Sequence, residues 1–223
     1  MPTSTVENYL KTIYIQQQRQ HGVIKTVAMG KLAKAMDVVP GTATAMIKTL
    51  AESGLVDYKP RTGVNLTDKG QTLALHILRR HRLLELFLVE VLGLDWTEVH
   101  DEAEELEHAV SDKVLTRIDD YLGHPDTDPH GDPIPPAEGT HMPDPLLSLA
   151  DSAAEKKLTI ARIVDQQREF LQFLHEHGLL PGTPITVISL DKIVDAITVK
   201  APKQNPVTLG MSAAGKILVQ KTP

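Results

Sequence analysis

Apolar residues Val6, Tyr9, Leu10, Ile13 and Tyr14 recur at steps of three and four, the spacing of one helix face. Ser4-Thr5-Val6-Glu7 sets a hydroxyl at a cap with a carboxylate three residues on, so this pattern predicts a helix from Ser4 to His21-Gly22. Thr26 is the expected cap of a second helix, with Leu32, Ala33 and Met36 turned inward. Asp37-Val38-Val39-Pro40-Gly41 is a short turn whose proline suits the first position of a third helix. That helix carries Thr42, Thr44, Met46, Ile47 and Leu50 and closes at Gly54. The period then changes. Leu55 to Lys59 and Val64 to Leu66 read as strands around the turn Pro60-Arg61-Thr62-Gly63. Residues 4–66 therefore read as helix, helix, turn, helix and β-hairpin, a winged helix-turn-helix.

Further on, helical spacing runs from Asp68 to Leu92 and again from Thr97, an expected cap, to about Leu122. Residues 123–145, rich in Pro, Gly, Asp and His, read as a loop, with a short helix expected near 145–155. The last part alternates β-like runs (Thr159-Ile163, Ile185-Leu190, Ala196-Val199, Ile217-Val219) with Gly/Pro turns around one helix, Gln166 to His177. The expected fold is mainly α with small β parts, in three domains. These are a winged helix over 1–70, a helical dimerisation and metal domain over 71–145, and a linker with a small β domain over 146–223.

Composition sharpens this picture. The 223-residue chain has no cysteine, which excludes thiolate metal sites and a disulfide framework. It has neither a long apolar run nor a signal-type start, so no membrane contact and a cytoplasmic location are expected. The net charge of −6 hides a split. Residues 1–70 hold nine Lys/Arg against five Asp/Glu, whereas residues 84–155 hold two against nineteen, with five of the ten histidines. A basic head suits phosphates, and an acidic, His-rich middle suits cations.

In the head, the second helix of the helix-turn-helix should meet base edges through Val39, Pro40, Gly41, Thr42 and Thr44. Such small groups suit close backbone approach, thymine methyls and phosphate bonds. Lys48, Lys59 and Arg61 are candidates for the sugar-phosphate backbone, with Thr5 and Thr26 as further DNA contacts. In the middle, the run His100 to His108 places His100, Glu104, Glu107 and His108 on one helical stripe about 100° wide. Beside it lies an apolar stripe of Val99, Ala103, Leu106 and Val110, while Asp101, Glu102 and Glu105 take the solvent side. His81 and Glu85, four apart, share a face of the preceding helix. Spacing alone fits either a divalent-metal site or a solvated acidic face.

Four motifs now come together: Glu7-Asn8-Tyr9-Leu10-Lys11-Thr12-Ile13-Tyr14, Arg80-His81-Arg82-Leu83-Leu84-Glu85, the Val99 to His108 run, and His130-Gly131-Asp132-Pro133-Ile134-Pro135. In that order they resemble the diphtheria toxin repressor family of iron and manganese regulators, over the whole chain. The tail around Leu174-His175-Glu176-His177-Gly178 resembles the SH3-like (FeoA-like) third domain of the longer members. The resemblance implies an effector site matched by Asn8, Glu104, Glu107 and His108, and a second site matched by His81, Glu85 and His100. Some manganese-responsive members add a linker Cys-Pro-His-Gly. The run here is Asp128-Pro129-His130-Gly131, which offers His130, and beside it Asp128, to the second site. Gln167 is the nearest match to a ligand from the third domain. Three positions depart from the family pattern. Glu104 stands where iron-type members carry Cys, Asn8 where Met or Asp is found, and Lys11 where short manganese regulators have a Glu ligand.

The function these features imply is a metal-dependent DNA-binding repressor of metal-uptake genes. Mn²⁺ (or Fe²⁺), two ions per subunit, would activate a homodimer on a palindromic operator in double-stranded DNA. Leu84, Phe87, Leu88, Val91 and Leu92 exceed what one helix needs for its own core and are the expected dimer seam. The rivals are a metal-independent winged-helix regulator and a metalloenzyme. The second lacks a His-Glu-Xaa-Xaa-His motif, a nucleophile elbow and a phosphate loop.

Overall fold

The computed structural model describes residues 3–18, 26–136 and 146–222, in two compact units, Met1–Arg80 and His81–Pro223. The first unit contains α1 (Ser4–Gln18), α2 (Met29–Ala35), α3 (Pro40–Glu52) and the hairpin β1 (Val56–Lys59) and β2 (Gly63–Leu66). Helix α4 (Asp68–Glu90) begins in this unit and ends in the second. The core of the first unit is Leu10, Ile13, Leu32, Ile47 and Leu50, all buried, with Val56 and Val64 from the hairpin. Each such side chain contributes about 1.5–3 kcal/mol by leaving water.

Two helix starts differ from expectation. At α1 the capping hydroxyl is that of Thr3, which accepts from Val6 N–H at 3.4 Å, one residue before the expected Ser4. Thr26 does not cap α2. Its neighbour Val27 is paired with Val64, and the helix starts two residues later behind Ala28, without a side-chain cap. Backbone pairing to the wing outcompetes the local cap there, since it satisfies two peptide groups at once (Val27 N to Val64 O and Val64 N to Val27 O, both 2.9 Å). The expected end of α1 at His21-Gly22 falls outside the described residues. The turn before α3 behaves as expected, with Pro40 in its first turn behind Val39.

In the second unit, α5 (Val99–Leu106) and α6 (Asp112–Leu122) replace the single helix expected from Thr97 to Leu122. Glu98 takes the N-cap position instead of Thr97, whose N–H is bonded to Asp95 Oδ1 at 2.8 Å. Ser111 opens the second helix by accepting from Val114 N–H. That break turns Leu106 outward, against its expected place in the core. Leu84 and Leu88 of α4 pack with Val99, Ala103 and Ile118. Part of the expected dimer seam is thus core of the single chain. Phe87 is half-buried, and Val91 and Leu92 remain exposed.

The C-terminal part is a six-stranded antiparallel sheet in the order β3-β8-β4-β5-β6-β7. Its strands are β3 (Leu147–Ser148), β4 (Lys157–Ile163), β5 (Pro184–Asp191), β6 (Ala196–Lys200), β7 (Val207–Gly210) and β8 (Ile217–Lys221). Helices α7 (Arg168–Glu176) and α8 (Met211–Ala214) accompany it. The short helix expected near 145–155 is instead β3 and a 3-10 turn, Leu149–Asp151. Strands β3 and β7 and helix α8 were not among the sequence expectations, being too short for periodicity to register. Ile160, Ile163, Leu171, Leu174, Val187 and Val199 lie in its core. Among the described residues no helix is long and apolar enough to cross a membrane.

Gly63 tests the wing. Its φ is +135°, and a Cβ there would stand 2.3 Å from the Val27 carbonyl oxygen. Gly63→Ala should therefore lower stability by more than about 1 kcal/mol. Denaturant unfolding measures this, and an unchanged midpoint would contradict the account.

Candidate metal centre and nucleic-acid interface

The centre begins on α4, where His81 and Glu85 sit one turn apart, both buried. His100 and Glu104 come from α5, and Glu107 from its C-terminal cap. His81 Nε2, His100 Nδ1 and Glu85 Oε1 form a triangle with edges of 3.0, 3.1 and 3.2 Å. His81 Nδ1 is 2.7 Å from Glu107 Oε2 and 3.9 Å from Glu104 Oε1. His108 Nε2 is 3.5 Å from Glu107 Oε1. His130 reaches Glu85 from the loop after α6, with Nδ1 3.9 Å from Oε2. Three groups have ligand atoms within 4.8 Å of one another: His81, Glu85 and His100; His81, Glu104 and Glu107; Glu85, Asp128 and His130.

The loop is held from several sides. Gly131 has φ +80°, and a Cβ there would stand 2.0 Å from the Ala161 carbonyl oxygen of β4. Ile163 N–H donates to the His130 carbonyl at 2.9 Å. Asp132 receives Arg82 and Arg162, each at 3.2 Å, and Gln166 Nε2 at 3.2 Å. Arg82 also donates to the Pro133 carbonyl. Asp128 Oδ1 accepts the N–H groups of His130 and Asp132, and its Oδ2 stands 3.6 Å from Arg82 Nε.

Charge explains the local titration. Burial opposes ionisation of Glu85, but the His81 charge, bonds from His100 and His81 and the nearby His130 hold it well below the usual carboxylate range. Burial pushes Asp128 well above that range, helped by Asp132 and Glu85 and opposed by Arg82 and His130. Burial also opposes the His130 charge, yet Glu85, Asp128 and the Trp96 carbonyl leave its pKa raised.

These residues fit a divalent cation. With Glu85 ionised, protons alone cannot satisfy the triangle. If both imidazole nitrogens carry hydrogen they face each other at 3.2 Å, and if one does not, its lone pair faces the carboxylate. Glu85 Oε2, Asp128 Oδ2 and His130 Nδ1 are buried without hydrogen-bond partners among the described residues. An ionised carboxylate as deeply buried as that of Glu85 costs several kcal/mol unless positive charge answers it. Neutral imidazoles and carboxylates without thiolates are a donor set for Mn²⁺ or Fe²⁺.

Two further candidates sit on other elements. Gln167 is exposed at the N-cap of α7, and its side chain makes no bond to the three groups among the described residues. Asn8 belongs to the first unit, on α1, where its Oδ1 is buried without a hydrogen-bond partner. Two residues absent from the candidates, Arg82 and Asp132, brace the loop. Arg82 was visible as the neighbour of His81, but nothing in its spacing indicated a bond to the 128–133 loop.

In the first unit, Val39, Pro40, Gly41 and Thr42 are exposed at the start of α3. A Cβ at Gly41 would meet nothing within 4 Å, so the fold itself does not require glycine there. Thr44 is half-buried and donates its hydroxyl to the Pro40 carbonyl at 2.8 Å, which leaves its oxygen as an acceptor. Lys48, Lys59 and Arg61 are exposed, the last at the wing turn with φ 67°. Thr5 is exposed, and Thr26 is half-buried beside the wing.

Comparison with known proteins follows the same division. Residues 1–64 match the N-terminal DNA binding domain of iron dependent repressors, and residues 67–136 their metal binding and dimerisation domain. Residues 147–221 match the FeoA domain. The chain is 32% identical to the iron-dependent repressor IdeR of Mycobacterium tuberculosis, covering 97% of both chains. It is 29% identical to the diphtheria toxin repressor of Corynebacterium glutamicum, over 83% of this chain and 84% of that one. A solved manganese-dependent transcriptional repressor in complex with manganese is 40% identical, with a TM-score of 0.89, covering 97% of this chain and 100% of that one.

Metal uptake should depend on pH with a definite sign. A raised His130 pKa means that a metal ligated here would have to displace a proton from this imidazole at a higher pH than from an ordinary histidine. Apparent affinity for a divalent cation at this site should therefore fall as pH drops, starting at a higher pH than for an ordinary histidine ligand, with proton release on binding. Calorimetry in buffers of different ionisation enthalpy measures that release, and a pH-independent affinity would contradict it.

Proposed function

The chain belongs to the iron-dependent repressor family, and from that premise we propose that Mn²⁺ is the ion that switches it onto a palindromic operator of metal-uptake genes. Membership makes it a metal-dependent, DNA-binding transcriptional repressor and not an enzyme. The carrying observation is the convergence of His81, Glu85, His100 and His130, with Glu104 and Glu107 beside them, in a largely buried and thiolate-free centre. Mn²⁺ is weakest in the divalent affinity order, so its selection must come from coordination number and oxygen-rich ligands.

We assign two ions per subunit. Glu104, Glu107, His108 and Asn8 serve one, and His81, Glu85, His100 and His130 the other, with Gln167 as a further candidate. The working organisation is three domains, 1–70, 71–145 and 146–223, which the matched family models support. The chain acts as a cytoplasmic homodimer whose symmetry matches the operator. Exposed Val91 and Leu92 belong to its seam. Val39, Pro40, Gly41, Thr42 and Thr44 meet bases, and Lys48, Lys59, Arg61, Thr5 and Thr26 meet the backbone. Metal and DNA then bind with a reciprocal coupling free energy.

The test is operator binding with and without Mn²⁺ for the native chain, Glu107→Ala and His81→Ala, alongside metal stoichiometry. Loss of ions and of operator binding in each variant is expected. Two ions and normal DNA binding in both would overturn the assignment, and equal affinity in excess chelator would overturn metal control. Activation by anaerobic Fe²⁺ where Mn²⁺ fails would replace the metal alone. Separately, alanine at Lys48, Lys59 or Arg61 should weaken binding evenly across sequences and lower the salt slope by about 1 each. An unchanged slope would remove that residue from the backbone contacts.

A further inference from the structure

Trp96 is the single tryptophan of the chain, just before α5. Its backbone carbonyl is 2.9 Å from His130 Nε2. Its indole Nε1–H donates to His175 Nδ1 on α7 at 3.0 Å. The indole is tilted against both rings, with centroids 5.4 Å from His130 and 6.4 Å from His175. Arg168, at the other end of α7, pairs with Glu98 two residues beyond Trp96.

A carbonyl can only accept, so its bond requires the proton of His130 to sit on Nε2. In the neutral ring that leaves the Nδ1 lone pair directed at Glu85. The position of one peptide carbonyl thus selects the tautomer and aims the ring, as outer partners of metal-bound histidines do. The turn around that carbonyl is closed on Asp95 by Thr97 N–H at 2.8 Å and by Glu98 and Val99 N–H at 3.0 and 3.1 Å, and the Trp96 side chain, whose only polar atom is bonded to His175, anchors the same residue from α7.

We propose that Trp96 and His175 are positioning residues for the metal centre. Through the indole, helix α7 of the FeoA-like part holds the carbonyl that sets the tautomer and direction of His130. The inference rests on His130 and Glu85 being metal ligands, and it assigns the C-terminal part a role in metal affinity without supplying a ligand from α7.

The test is calorimetric Mn²⁺ titration of the full chain carrying His130→Ala, His175→Ala, Trp96→Phe, the last two combined, or His175→Asn. His130→Ala should remove one binding step. His175→Ala and Trp96→Phe should each weaken that same step about 5-fold, the scale of one neutral hydrogen bond, and leave the other step unchanged. The combined variant should be no weaker than either single one, because both break one bond. His175→Asn, which keeps an acceptor, should recover most of the affinity. His175 is exposed, so its replacements leave the core intact. Native affinity in both single variants, additive losses, or equal losses in both steps would overturn the relay while leaving the site standing. Retention of both steps in His130→Ala would overturn the site assignment, and the relay with it.

Discussion

An ionised carboxylate with no exposure to water governs the second unit. Glu85 is fully buried, and the interior of a protein tolerates such a group only when several partners answer its charge. Its answer comes from three histidines on three different segments: His81 on its own helix, His100 on α5 and His130 on the 128–133 loop. Removing any one leaves charge uncompensated, so the electrostatics of one side chain link segments far apart in sequence. A cation would supply the same compensation more completely, because it accepts lone pairs from all of them at once and needs no shared protons.

The break between α5 and α6 takes its meaning from this centre. It lets Glu107, at the end of α5, lie buried with an oxygen 2.7 Å from His81 Nδ1, on the opposite side of the imidazole from Glu85. One imidazole therefore touches both carboxylate groups. Outside this ring stands another of Arg82, Asp132, Arg162 and Gln166, which fixes the loop against β4. The sheet thus contributes to the centre by holding the loop backbone, a contribution distinct from that of a direct ligand.

The first unit solves a different problem. Its core is mainly apolar, its exposed face at the start of α3 consists of small residues, and Lys48, Lys59 and Arg61 are exposed on α3 and the wing. A Cβ at Gly41 would meet nothing within 4 Å, and the hydroxyl of Thr44 folds back on Pro40. Such a face opposes nothing by steric bulk, which suits the close approach of a polyanion whose phosphates supply most of the attraction.

Much of this was legible in the chain. Helical periods in α1, α3 and α4, the proline that opens α3 and the alternation of the β runs reflect local sterics and one-sided burial, which act over a few residues. The clustering of His81, Glu85, His100, Glu104 and Glu107 was legible because residues four apart share a helix face, although spacing alone left a solvated face equally open. The tertiary structure decided the rest. Thr26 carries a cap signal, yet pairing of Val27 with the wing overrode it. One long helical stripe became two helices, because Ser111 caps anew and Glu107 is drawn to His81. Two of the five residues expected at the seam, Leu84 and Leu88, became core, because α5 and α6 pack on them. The bonds from Trp96 to His130 and His175 carry no sequence signal, since they depend on a peptide carbonyl and on contacts 34 and 79 residues apart. Periodicity records which side of an element is buried; which atoms meet there depends on long-range packing, and that only the folded chain determines.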